Sequence, residues 1–192
     1  MTAYIHPTAL VNPGFVPAPF TIIDEGAAIF ADVKIGSFVR VHAGARVHEG
    51  CVIGDHATIG AGVELHDGVS VSDFAFVGKT PDRSNDRAGD AELLSGASIG
   101  ATSVVGSHVV IELGAILGQR CVVGDGAGIA EECVLGDDVL IGRGVTLERG
   151  VSIRDRAVVG AGSFLGAGAR IGECEVVVPN TVVSAPSRPD AG

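Results

Sequence analysis

The chain has 192 residues, of which 46% are hydrophobic, 19% charged and 4% aromatic, with 29 glycines and a formal charge of −10. That length fits one domain with a real core, the abundance of Val, Ile, Leu and Ala excludes disorder, and glycines without a strict period of three exclude collagen. No apolar run reaches a membrane span, the opening MTAYIHPTAL has no basic stretch followed by an apolar one, and the acidity argues against nucleic acid or an anionic membrane as partner, so a cytoplasmic protein is expected.

A six-residue period runs along the chain. From Ile5 it passes through Val11, Pro17, Ile23, Ile29 and onward to Val71 and Val77, then resumes at Leu93 and Ile99 and continues to Ile171 and Val177. Of these 28 places 27 are aliphatic, Pro17 being the exception. An amphipathic helix needs apolar spacings of three and four, and a half-buried strand needs simple alternation, so neither explains a fixed six. With the aliphatic residue counted first, 26 of the 29 glycines fall at the second or fourth place. Glycine there reads as a corner, because it tolerates positive φ and close backbone approach. Short β-branched strands joined at such corners describe a parallel β-helix. Spacing alone leaves the number of sides and the handedness open.

Units such as IGDHAT, IGAGVE, VGDGAG, LGDDVL, IGRGVT and VGAGSF resemble the hexapeptide repeat of the left-handed β-helix acyltransferases, over roughly residues 5 to 182. The ending VVVPNTVVSAPSRPDAG is similar to the VPxxTVVxGxPA-like close of several sugar acyltransferases. The resemblance implies an all-β, left-handed parallel β-helix of about nine triangular coils, a homotrimer with sites between subunits, an acyl-coenzyme A co-substrate such as acetyl-CoA, and a small-molecule acceptor. Residues 1–182 would form the helix, interrupted by a projecting loop at about 79–92, with 183–192 as a tail.

If three hexads make a coil, residues 18 apart stack at about the 4.8 Å strand spacing. With ten residues set aside for the interruption, the fourth places form three columns. One reads Gly26, Gly44, Gly62, Thr80, His108, Gly126. Another is mostly glycine. The third reads Phe20, Phe38, His56, Phe74, Thr102, Arg120, Asp138, Arg156, Cys174, which predicts an aromatic ladder continuing into a charge ladder on one corner.

The interruption, VGKTPDRSNDRAGDAE, is polar and charged, and long excursions of this kind often carry function. Lys79, Thr80, Arg83, Asn85, Asp86 and Arg87 are the candidate acceptor-binding residues. His108 falls on the loop's own column, where a neutral imidazole suits a general base that takes a proton from an attacking amine or hydroxyl. An equal alternative is that histidine merely tolerates a left-handed corner. His66 is a second candidate base, stacked beside His48, and Glu112 follows in the same expected column as a residue that orients a histidine across the interface. His6, Asp24 and His42 form a similar stack. For the coenzyme, the resemblance points to the C-terminal coils, with Gly142, Gly160 and Ala161 as lining and Arg143 or Arg170 beside a phosphate.

Two other classes compete. Gamma-class carbonic anhydrases share the fold that the resemblance implies and bind zinc through three histidines across a trimer interface, for which His48, His66 and His108 are available. A non-catalytic scaffold is the other. The acyltransferase is preferred, with no metal expected. Cys51, Cys121 and Cys133 occupy places where small buried residues recur, and Cys174 a corner, so reduced thiols are expected.

Overall fold

The computed structural model describes residues 2–81 and 94–184. These residues contain 27 strands, nearly all of two residues, and no helix. The strands pair in parallel into three sheets, of ten, nine and eight strands, that form the faces of a triangular prism. The first face runs from Tyr4–Ile5 to Val182–Val183, the second from Leu10–Val11 to Arg170–Ile171, and the third from Lys34–Ile35 to Val176–Val177. Successive turns pair 18 residues apart, as Tyr4 with Ile22 and Ile22 with Arg40. The result is a left-handed parallel β-helix of about nine coils, as the resemblance implies.

The six-residue repeat produces this shape through alternation. In each pair the first residue points out and the aliphatic second residue points in, so Ile23, Val41, Ile59, Val77, Ile111 and Ile129 are at most 1% exposed. The fifth-place residues, such as Ala27, Ala45, Cys51 and Val63, fill the space under each corner. Glycine recurs at the second place because the next coil stacks against it: a Cβ on Gly36 would collide with the Asp55 carboxylate. That carboxylate is in use, since Asp55 Oδ1 accepts the Ser37 N–H at 2.7 Å and Asp73 Oδ1 accepts that of Asp55 at 2.8 Å. The GD pairs at 54–55, 124–125 and 136–137 are therefore coil-to-coil clasps. Cys51, Cys121 and Cys133 are buried free thiols and Cys174 is exposed. Burial pushes the Cys133 thiol up to about 12.

The interruption is longer than its period suggests. Leu65 pairs with Ile99, Val71 with Val105 and Val77 with Ile111, each 34 residues apart where 18 is the rule, so sixteen residues are inserted and not ten. Sixteen exceeds ten by one hexad, which leaves the six-residue phase of Leu93 unchanged while moving everything beyond it by one face. The expected columns are therefore wrong beyond the insertion. Phe20, Phe38, His56 and Phe74 do stack, at centroid distances of 4.5 to 4.8 Å, but their ladder continues with His108 at 5.0 Å from Phe74. This aromatic corner joins the third face to the first. Thr102, Arg120, Asp138, Arg156 and Cys174 instead follow Gly50 and Gly68 on the charged corner between the second and third faces. There Arg120 grips Asp138 with two bonds of 2.7 and 2.8 Å, while Arg156 turns to Glu173 and the Cys174 sulfur.

Every non-glycine rung of the aromatic ladder adopts a left-handed backbone, with φ near 60°. Stacking therefore works against local strain. Phe38→Ala loses two ring contacts, and a loss of about 1–3 kcal/mol is expected. Phe38→Gly loses the same contacts but also the left-handed penalty of about 1–2 kcal/mol. Denaturation of the two variants should therefore find Phe38→Ala the less stable.

Candidate active site at the insertion corner

The insertion leaves the first face after Phe76–Lys79 and rejoins the second face at Ser98–Ile99. Its two ends are tied to the next coil: Leu113 N donates to Lys79 O at 2.9 Å, and Gly114 N to Ser95 O at 2.9 Å. A bulge at Gly78 brings Lys79 opposite Glu112. This insertion corner joins the first and second faces.

Beside it the first face is notched. Gly128 takes the outward place of its strand, between Val110 and Thr146, and a Cβ there would meet nothing within 4 Å. The hollow, about 170 Å3, is walled by Val110, Thr146, Ala130, Glu112 and Glu148. Glu112 is 16% exposed and lies 3.8 Å from Lys79 Nζ. Its Oε2 accepts the Glu131 N–H at 3.3 Å. Burial pushes the Glu112 carboxyl above its ordinary value, and the adjoining Glu131 carboxyl pushes it further, by hydrogen bond and by charge; the Glu131 N–H and Lys79 oppose them. Arg149 balances the acidic side, with its Nε 2.8 Å from Glu132 and 3.8 Å from Glu131. A half-buried carboxyl with a raised pKa, beside a hollow and a cation, can take a proton from a group entering that hollow.

The three catalytic candidates from the sequence stand on three different corners. Glu112 lies on the insertion corner. His108 does not: it is exposed on the aromatic corner, its ring on Phe74 and its N–H donated to Asp73 O at 3.1 Å. His66 lies on the charged corner, stacked on His48 as expected, with Nε2 3.4 Å from Ser98 Oγ. Glu112 stands opposite Lys79 on the first face and not in line with His66 on the second. The same miscounted hexad explains both errors. Asp24 and His42 do meet, at 3.6 Å, with Arg40 on the same carboxylate; burial and then Arg40 lower the His42 imidazole, against Asp24.

Of the acceptor-binding candidates, Lys79 pairs with Glu112 and Thr80 is exposed at the same corner. Arg83, Asn85, Asp86 and Arg87 lie outside the described residues. Gly142, Gly160 and Ala161 stack along the aromatic corner with Arg143 exposed beside them; a Cβ on Gly142 would collide with Ala161, so coil packing alone requires that glycine. Arg170 is exposed on the second face, opposite that corner, so one chain does not bring it to the other four. Glu131 and Gly128 were not singled out from the sequence. A signal existed for Gly128, one of only three glycines outside the second and fourth places.

These features define a hexapeptide β-helix with an acidic hollow at a corner insertion. The models described as bacterial transferase hexapeptide (six repeats) match residues 26–67 and 114–149, and those described as hexapeptide repeat of succinyl-transferase match 96–130 and 133–167, together more than half of the chain. The chain belongs to the hexapeptide-repeat transferase family. Among solved structures it is similar to the UDP-N-acetylglucosamine acyltransferase of Bacteroides fragilis, at 22% identity and TM-score 0.68, covering 96% of this chain and 67% of that one. The corresponding protein of Acinetobacter baumannii gives 19% identity and TM-score 0.71 over the same shares, and that of Campylobacter jejuni 18% and 0.57 over 92% and 71%. No curated protein matches the chain. Among the described residues, no helix is long and apolar enough to cross a membrane.

Proposed function

We propose that the chain is an acyltransferase that moves an acyl group, acetyl in the first instance, from coenzyme A to an amine or hydroxyl of a small acceptor. A nucleotide-linked amino sugar is the leading acceptor class, supported by the UDP-N-acetylglucosamine named for the relatives that carry this fold. The observation that carries the reading is the hollow at Gly128 with Glu112 on its wall, at the foot of the insertion. The acceptor's lone pair attacks the thioester carbonyl as Glu112 accepts the acceptor's proton; the C–S bond then breaks and Glu112 returns that proton to the departing sulfur, so coenzyme A leaves as its thiol. Lys79 and the insertion, including Arg83, Asn85, Asp86 and Arg87, hold the acceptor. Gly142, Gly160, Ala161 and Arg143 line the coenzyme's path; Arg170 joins them from a second copy in a homotrimer with sites between subunits. The free thiols fit a reducing cytoplasm.

Calorimetric titration of chelator-treated protein with acetyl-CoA, with coenzyme A as reference, tests this directly. Saturation near one site per chain is expected, followed by thiol release when UDP-linked amino sugars are added. Absence of heat with either ligand, together with no thiol release, overturns the reading.

A further inference from the structure

The second face carries a set of donors for which acyl transfer has no use. Its outward side chains include Arg46, Glu64 and Ser98 on consecutive paired strands. Each strand ends at the charged corner, where His48 and His66 stand one coil apart with their backbone N–H groups bonded to Leu65 and Ile99 at 2.9 and 3.0 Å. His48 Nε2 lies 2.9 Å from Glu64 Oε1. The two imidazoles stack at 5.5 Å, and Phe30 covers His48 from the preceding coil at 4.8 Å. One donor atom each from His48, Glu64 and His66 falls within 4.8 Å of the other two.

We propose that His48, Glu64 and His66 bind a divalent transition-metal ion, zinc before others, through two imidazole nitrogens and one carboxylate oxygen. Two imidazoles and a carboxylate make a borderline donor set, which favours zinc over magnesium or calcium. Tetrahedral zinc with bonds of about 2.0–2.1 Å holds its donors roughly 3.4 Å apart. Coil pairing fixes all three backbones, so binding requires side-chain rotation to close the triangle from within 4.8 Å to that size. His48 and Glu64 are 26% and 38% exposed on their side chains, which leaves a coordination position open to solvent. The set differs from the zinc site considered from the sequence. Glu64 takes the place of His108, which stands on another corner, and every ligand belongs to one chain. The inference is independent of the acyl-transfer reading, and neither needs the other.

Tag-free, chelator-treated protein titrated with Zn2+ by calorimetry tests the site, with Co2+ absorption as a second readout. One ion per chain is expected, with the intense visible bands of four-coordinate Co2+. His48→Ala and His66→Ala should each weaken binding by more than the roughly tenfold to hundredfold that loss of an outer-shell partner costs. Glu64→Gln should weaken it as well, whereas His42→Ala on the insertion corner should leave it unchanged. Melting curves of each metal-free variant, with His66→Asn as a milder alternative, separate loss of a ligand from loss of fold. Failure of Zn2+ to saturate near one per chain, or affinity unchanged in both histidine variants, overturns the proposal.

Discussion

Glu112→Gln is expected to slow acyl transfer by about a hundredfold to ten-thousandfold, the range for removing a general base. The fold should be as stable as the wild type at neutral pH, or more so. Both expectations come from one cause. Burial, then the Glu131 carboxyl, raise the Glu112 pKa above its ordinary 4.5. The folded state therefore holds a proton that the unfolded chain releases first. The stability this proton confers is fully present below 4.5 and is lost as pH rises through the raised folded value. Above that value the wild type carries a charge that is costly to bury, and the variant does not. The substituted side chain also keeps an amide oxygen to accept the Glu131 N–H. Unfolding measured across pH should show wild-type stability falling relative to the variant over that window. Wild-type turnover should climb over the same window, as the carboxylate needed to take the proton forms, and the variant should lack that limb. Stability and activity then move in opposite directions, as expected where a strained environment serves chemistry. Equal turnover by the two proteins would remove Glu112 from the mechanism and leave the exposed His108 to be tested by His108→Ala.

The fold was legible because its signal repeats. Each coil restates the same alternation of an outward residue, an inward aliphatic residue and a corner, so the prism survives a local error in reading. The site depends on a number that the period does not contain. Insertions of ten and of sixteen residues leave Ile99, Val105 and Ile111 in the same six-residue phase, and only the pairing of Leu65 with Ile99 separates them. That one hexad moved His108 off the insertion corner and put Glu112 opposite Lys79. Composition held a clue: ending the aromatic column at Phe74 and resuming it with Thr102 joined unlike residues, whereas Phe74 followed by His108 continues a run of flat rings. Glu64 was legible by a different rule. Residues two apart at a strand end point to the same side, so Glu64 accompanies His66, and His48 lies one coil before. Glu131 had no such signal, since it gains its role from sharing space with Glu112 and not from any spacing in the chain.

Gly96→Ala is expected to destabilise the protein by about 3 kcal/mol or more, at the top of the range for forcing extra volume into packed structure. Gly26→Ala, on the same corner, should cost only about 1–2 kcal/mol. The contrast separates two reasons for a corner glycine. Gly26 has φ of +62° and open space where a Cβ would stand, so alanine there pays for a left-handed backbone and nothing else. Gly96 is not among the residues with positive φ. Its Cβ would fall on the Gly62 carbonyl and 2.6 Å from the Val63 nitrogen, both backbone atoms of the coil beneath. Backbone cannot rotate aside as a side chain can, so relief requires the coils to part where the insertion returns. That parting would pull on the Gly114–Ser95 bond, two residues from Glu112. Denaturation of the two variants should therefore rank Gly96→Ala well below Gly26→Ala, with Gly96→Ala also losing the raised Glu112 titration expected in the wild-type pH profile. Equal stabilities would mean that the coils at the insertion corner have more room than the contact at Gly62 implies, and that corner conformation alone sets the cost.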